Sequence, residues 1–299
     1  MRRGGKLLGF AGVCLCFLML TLITRGLLLL APSHFRKQVF ARLTTLWAQS
    51  LLPILGIKVT PAIHPPARPS SGHLLVSNHQ SYLDILIIAS LFPAQFVAKQ
   101  EVRRWPVLGL LAILGGTIFL DRRSKRSGLR CANQVCESLR DGVNVQVFPE
   151  GTSTDGREVL PFKPLLFSAA VKAQAPVLPC TINYVTVDGQ AVSDSSRDRV
   201  CWYGGMNFIG HFWRLLDLRS VGVELTAHEL IAPPHTAPVQ EVARLAHRRV
   251  TSGCSAPQVE STEAPFAVEF IAGAILYSLP QSPIQFVSPD IIFPYNEDS

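Results

Sequence analysis

The stretch Leu74-Leu75-Val76-Ser77-Asn78-His79-Gln80-Ser81-Tyr82-Leu83-Asp84 decides how the chain reads. Its first residues form an apolar run of strand length, a polar turn follows, and residues 85–91 resume as an apolar helical run. Asn78, His79 and Asp84 therefore sit where a strand ends, the place where α/β folds concentrate chemistry. A histidine with a carboxylate a few residues on is the minimum for general-base work. Imidazole titrates near neutral pH, and a carboxylate fixes its tautomer and stabilises its cation. A plainer reading also stands: Ser81-x-x-Asp84 has the form of a capping box, which leaves His79 an ordinary loop residue. The two are compatible if the backbone folds Asp84 back toward the ring.

Outward from this stretch, strand-like runs recur at 74–77, 95–98, 117–120, 143–148 and 177–184, with helix-like runs at 82–91, 107–114, 129–140 and 163–173. Such alternation predicts an α/β fold, a sheet flanked by helices. Beyond Asp188 the pattern weakens, leaving 221–226 as a strand candidate and 239–250 as a helix.

The N-terminal side is lipid-like. Arg2, Arg3 and Lys6 precede Leu7 to Thr24, which carries no charge and approaches the length of a membrane span. A cleavable signal peptide starts similarly, but no small-residue cleavage site precedes Pro32, so a retained anchor over 1–34 is expected. Phe35, Val39, Leu43, Leu46/Trp47 and Leu51 then recur at helical spacing. Over 35–60 we expect an amphipathic interfacial helix with Trp47 at headgroup depth, against the alternative of a helix packed on the catalytic domain. Residues 61–72, rich in Pro, Ser and Gly, read as a linker, 73–250 as the catalytic domain, and 251–299 as a tail of unassigned role.

Composition agrees. Charged residues make up only 16% of 299, and the net charge of +7 favours an anionic partner, a phospholipid surface or a phosphorylated ligand. No zinc-finger spacing, RNP-like strand or basic heptad region points to nucleic acid. Seven irregularly spaced cysteines give neither a disulfide framework nor a metal site, which suits a reducing compartment.

Three further stretches carry polar residues at strand ends. Phe148-Pro149-Glu150-Gly151-Thr152 reads as a turn, or as backbone N–H groups and a hydroxyl arranged for an oxyanion or phosphate. Gly116-Thr117-Ile118-Phe119-Leu120-Asp121-Arg122 opens into a basic run before a helix, where positive charge opposes the macrodipole. Phe162-Lys163-Pro164 and the bracketed pair of Pro176-Val177-Leu178-Pro179 come last.

In this order and spacing the four stretches resemble the glycerolipid acyltransferase family, typified by the 1-acyl-glycerol-3-phosphate acyltransferases. Asn78, His79 and Asp84 match its Asn-His-x-x-x-x-Asp motif. Gly116, Phe119 and Arg122 match Gly-x-x-Phe-x-x-Arg, Phe148 to Thr152 match Phe-Pro-Glu-Gly-Thr in full, and Pro176 to Pro179 match the proline-bracketed strand. The likeness runs over residues 74–184. One position departs: the arginine that usually follows Phe-Pro-Glu-Gly-Thr is Ser153, which removes a permanently charged phosphate clamp.

The resemblance implies His79 as general base and Asp84 as its orienting acid. It also implies a substrate-binding set of Asn78, Gly116, Phe119, Arg122, Phe148, Pro149, Glu150, Gly151, Thr152 and Lys163. An acyl thioester of coenzyme A or acyl carrier protein would be the donor and a lysolipid the acceptor, 1-acyl-glycerol-3-phosphate first. Ser153 keeps open a lyso-ornithine lipid or another lysophospholipid. No metal and no cofactor beyond that co-substrate is implied, and the location would be a bacterial inner membrane or another cytosol-facing membrane. The rival classes are an acyltransferase for a protein or sterol-like acceptor and a silent lipid-binding protein. A serine hydrolase lacks its Gly-x-Ser-x-Gly elbow.

Overall fold

The computed structural model describes residues 2–63, 72–233 and 236–254. In chain order these build α1 (Arg2–Leu27), α2 (Ser33–Leu55), β1 (Ile57–Ile63), β2 (Leu74–Ser77), α3 (Leu83–Leu91), β3 (Gln95–Lys99), α4 (Leu108–Leu114), β4 (Ile118–Leu120), α5 (Lys125–Arg140), β5 (Val145–Val147), α6 (Phe167–Ala173), β6 (Val177–Val187), β7 (Gln190–Ala191), α7 (Asp194–Arg197), α8 (Phe208–Leu215), β8 (Val221–Ala227) and α9 (Val239–Gly253). The strands lie side by side in the order β1-β8-β6-β2-β5-β3-β4, with β7 on the end of β6. β6, β2, β5, β3 and β4 run parallel, and β8 is antiparallel to β6. The sheet is mixed and flanked by helices, as the alternation predicts.

Successive strand side chains point to opposite faces. Leu75, Leu178, Cys180 and Ile182 enter one core with α2, α3 and α8; Leu74, Val76, Val145 and Val177 enter another with α5, α6 and α9. Burial on both faces is why these parallel strands read as unbroken apolar runs. In α5, Cys131, Ala132, Val135 and Leu139 form the buried stripe, and Ser124 caps the start by accepting the Ser127 N–H. That cap offsets the unfavourable basic first turn.

Two expectations are corrected. The segment 35–60 is not one interfacial helix. α2 ends at Gly56, whose φ of 79° supplies the left-handed turn. Residues 57–63 then form β1, paired in parallel with β8. Pro61, expected in a linker, is tolerated because β1 is an edge strand. Nor does α2 lie free for a headgroup layer. It packs on α3, burying Phe40, Ala41, Thr44, Ala48, Leu51, Leu52 and Leu55, and Trp47 turns inward with its ring 5.3 Å from that of Phe17. Only residues 64–71 remain of the expected linker, and they lie outside the described residues, as does the tail from 255 on.

α1 is long and apolar enough to cross a membrane. It is also fastened to the fold at both ends. Lys6 Nζ donates to the Leu55 and Leu218 carbonyls at 2.7 Å each, Arg3 pairs with Asp217, and Arg25 donates to the Ile113 carbonyl at 2.7 Å. Between these latches Phe10 packs on Phe212, while Leu8, Leu15, Leu22 and Ile23 stay exposed.

Candidate active site

β2, β5, β3 and β4 deliver their C-terminal ends to one edge of the sheet, and the residues that follow each strand meet there. After β2, His79 Nδ1 lies 2.8 Å from Asp84 Oδ2. The same oxygen accepts the backbone N–H groups of Gln80 (2.6 Å) and Ser81 (2.8 Å), so the carboxylate folds back over the turn as the compatible reading required. The helix does not use Ser81 as its N-cap; Tyr82 holds that position with no side-chain bond. Asp84 is fully buried, and its other oxygen accepts the Tyr184 hydroxyl at 2.7 Å. Two backbone N–H groups and the Tyr184 hydroxyl thus donate to Asp84, and the carboxyl has the remaining acceptor capacity to take an N–H from His79 Nδ1. Nε2 is left with its lone pair.

After β5, the Phe148 ring stacks on His79 with centroids 4.1 Å apart. Glu150 Oε1 accepts the His79 N–H at 2.6 Å and Oε2 accepts the Leu160 N–H at 2.8 Å. Burial pushes the Glu150 carboxyl up to about 7; the two N–H bonds pull it down, and the Asp84 charge adds to the rise. The Gly151 N–H is spent on the Phe148 carbonyl at 3.1 Å, so it is not free for an oxyanion. Gly151 itself is obligatory: φ is 79°, and a Cβ would stand 2.6 Å from Lys163 Nζ.

A cationic group borders the turn. Arg122, just past β4, donates to the Gly151 carbonyl. Lys99, the last residue of β3, has its pKa lowered by burial and by Arg122 and Lys163, with Glu101 opposing. A cavity of about 320 Å³ opens from these residues. His79, Lys99, Glu101, Arg122, Gly151, Thr152 and Ser153 supply its polar end, and residues such as Phe17, Trp47, Leu86, Phe96, Leu111 and Phe212 its apolar length.

The Acyltransferase family model matches residues 58–183 of this chain. The lyso-ornithine lipid O-acyltransferase of Rhizobium meliloti is 33% identical over 211 residues, 68% of this chain and 72% of that protein. The chain belongs to the glycerolipid acyltransferase family. The 1-acyl-sn-glycerol-3-phosphate acyltransferase of Neisseria gonorrhoeae is 34% identical over 54% of this chain, and the match spans 60% of that relative's length. In fold, the chain is similar to the crystal structure of the 1-acyl-sn-glycerophosphate acyltransferase PlsC from Thermotoga maritima, with a TM-score of 0.55, 22% identity, and 85% of this chain and 96% of that one covered.

Within this chain the expected site residues divide. His79, Phe148, Arg122, Gly151 and Thr152 line the cavity, with Lys163 adjoining Gly151 and Asp84 buried behind the ring. The others frame it. Asn78 exchanges both side-chain bonds with the Ile182 backbone (2.9 and 2.8 Å), tying β2 to β6. The Gly116 carbonyl accepts from Gln95 at 2.9 Å, and Phe119 lies under the Arg103 guanidinium, facing a separate groove. Pro149 and Glu150 are buried, Pro149 accepting the Lys163 N–H at 3.0 Å. Direct acceptor contact by Asn78, Gly116, Phe119, Pro149 or Glu150 is therefore not what the geometry offers. Lys99, Glu101 and Tyr184 were not singled out by their sequence. Lys99 ends β3 and Glu101 follows it, so the rule that picked out His79 also reaches them.

Proposed function

We propose that the chain transfers an acyl group from a thioester to the hydroxyl of a lysolipid with an anionic headgroup. The carrying observation is His79, its Nδ1–H held by a buried Asp84, placed at the polar end of an apolar cavity. His79 Nε2 takes the proton of the acceptor hydroxyl as that oxygen forms a bond to the thioester carbonyl carbon. Asp84 stabilises the resulting imidazolium. The tetrahedral intermediate collapses with cleavage of the C–S bond, and the imidazolium returns its proton to the departing thiolate. The apolar cavity takes an acyl chain, and Lys99, Arg122 and Lys163 face the headgroup's anion. Coenzyme A and acyl carrier protein are the two donors proposed.

The first acceptor is 1-acyl-glycerol-3-phosphate, whose phosphate suits three clustered cations. A lyso-ornithine lipid is the second, favoured by Ser153 in place of arginine and by the Glu101 carboxylate on the cavity wall, which suits an ammonium. The exposed apolar side chains of α1 hold the enzyme against a bilayer, and because both ends of α1 are latched to the domain, it lies along the surface. A bacterial inner membrane or another cytosol-facing membrane is the proposed location.

Purified protein with one acyl thioester and a panel of lysolipids tests the reading. Transfer to at least one of them, abolished in His79→Ala, is expected; wild-type turnover in His79→Ala removes the general-base role.

A further inference from the structure

Glu150 belongs to the motif expected to hold the acceptor, yet it has no route to it. The residue is 2% exposed, is not among the cavity-lining residues, and both carboxylate oxygens are engaged by backbone N–H groups. One of those donors is the N–H of His79 itself. The segment around Glu150 grips His79 elsewhere too. Phe148 stacks on its ring, and the Thr154 N–H donates to its carbonyl at 2.9 Å. The His79 residue is thus held at its N–H, its C=O and its ring by residues 148–154, while Asp84 holds Nδ1.

A buried carboxylate is costly unless its bonds repay the desolvation. Were the site only scaffold, closing the Leu160 turn would need one acceptor and no charge. A short bond of 2.6 Å to the N–H of the base has a geometric consequence instead. It fixes where the Cα of His79 stands, and so where Nε2 reaches. We propose that Glu150 is a positioning residue for His79, acting through the His79 backbone N–H, and makes no contact with the acceptor. The inference rests on the acyl-transfer reading above.

Glu150→Gln, Glu150→Asp and Leu160→Pro, each as the full chain, test it. Leu160→Pro removes the second N–H donor and leaves the bond to His79. Positioning predicts that Glu150→Gln lowers kcat by about 10- to 100-fold, the usual consequence of a misplaced catalytic group. KM for the acceptor should stay within about twofold, Glu150→Asp should recover part of kcat, and Leu160→Pro should keep it. A rise in acceptor KM with kcat intact would show a substrate contact. Equal kcat losses in Leu160→Pro and Glu150→Gln would show a role in folding alone; either result overturns the proposal. The ¹⁵N–H resonance of His79 gives a readout independent of turnover. It should move in Glu150→Gln and not in Leu160→Pro, whether or not the acceptor has been identified, and an unmoved resonance in Glu150→Gln also overturns the proposal. Absence of any acyl transfer by the wild-type protein would remove the functional reading and leave that measurement standing.

Discussion

Tyr184, on the β6 strand beside β2, reaches Asp84: its hydroxyl donates at 2.7 Å to Oδ1 of the carboxylate whose Oδ2 holds the His79 ring. Both residues are buried, and 100 positions separate them in the chain. Tyr184→Phe removes this bond and little volume. A buried bond to a charged group contributes about 1.5–3 kcal/mol. We expect a stability loss of that size in urea unfolding, with kcat down about tenfold because Asp84 loses one of the contacts that fix its orientation. Retained stability with unchanged kcat would show that the bond is idle.

Gly156, beside Gln80, and Gly189, in the turn between β6 and β7, have different reasons to be glycine. Gly156 has φ 79° and a Cβ there would stand 2.1 Å from Gln80 Oε1, whereas Gly189 has φ 83° and open space around it. Both alanine variants carry the left-handed backbone cost of about 1–2 kcal/mol. Gly156→Ala must in addition displace Gln80, whose Nε2 donates to Ile182 and whose backbone N–H is bound to Asp84. Melting curves should rank Gly156→Ala below Gly189→Ala, and only Gly156→Ala should lower acyl transfer, by about tenfold or more.

β2, β5 and the first half of β6 were legible because they are buried on both faces, and β3 and β4, nearer the sheet's edge, because they are short apolar runs that end in polar residues. His79 and Asp84 were legible for the same reason, joined by a turn too short to part them. β1 was not. Its Lys58 and Thr60 alternate with Ile57 and Val59 as in a half-covered edge strand, but Pro61 and the proline-rich residues after it look like linker. Its partner β8 lies more than 150 residues away, and no local pattern carries that pairing. Trp47 misled in the other direction. An aromatic beside basic residues looks interfacial until Phe17 of α1 covers it. Whether Asn78 and Glu150 face a substrate or the backbone depended on Ile182 and Leu160, whose main-chain groups have no signature in sequence.

Lys99 should matter for the acceptor and not for the chemical step. It lines the polar end of the cavity, while His79 is held by other residues. Lys99→Met removes one charge-assisted contact, so KM for 1-acyl-glycerol-3-phosphate should rise about 10- to 100-fold with kcat changed less than threefold. Steady-state kinetics at fixed salt, with an uncharged monoacylglycerol as control acceptor, separates this from a general loss. An equal effect on both acceptors would place Lys99 outside the headgroup site.

The Glu150 carboxyl gives stability a pH dependence of unusual sign. Its pKa rises from 4.5 to about 7 in the folded chain, chiefly through burial. The folded state therefore binds this proton more tightly than the unfolded state does, and the derivative of unfolding free energy with pH is negative between the two values. The contribution is fully present below pH 4.5 and is lost as pH rises through about 7, up to about 3 kcal/mol. The Asp188 carboxyl, which burial pushes up but the Arg219 and Ser220 N–H groups and Arg199 hold below the usual carboxylate range, acts in the opposite sense at lower pH. The clean quantity is thus the difference in unfolding free energy between wild type and Glu150→Gln, measured in urea from pH 5 to 8. Relative to the neutral amide, wild type should lose ground most steeply between the two values, near pH 6, and level off above about pH 7. A flat difference would mean that Glu150 is ionised throughout.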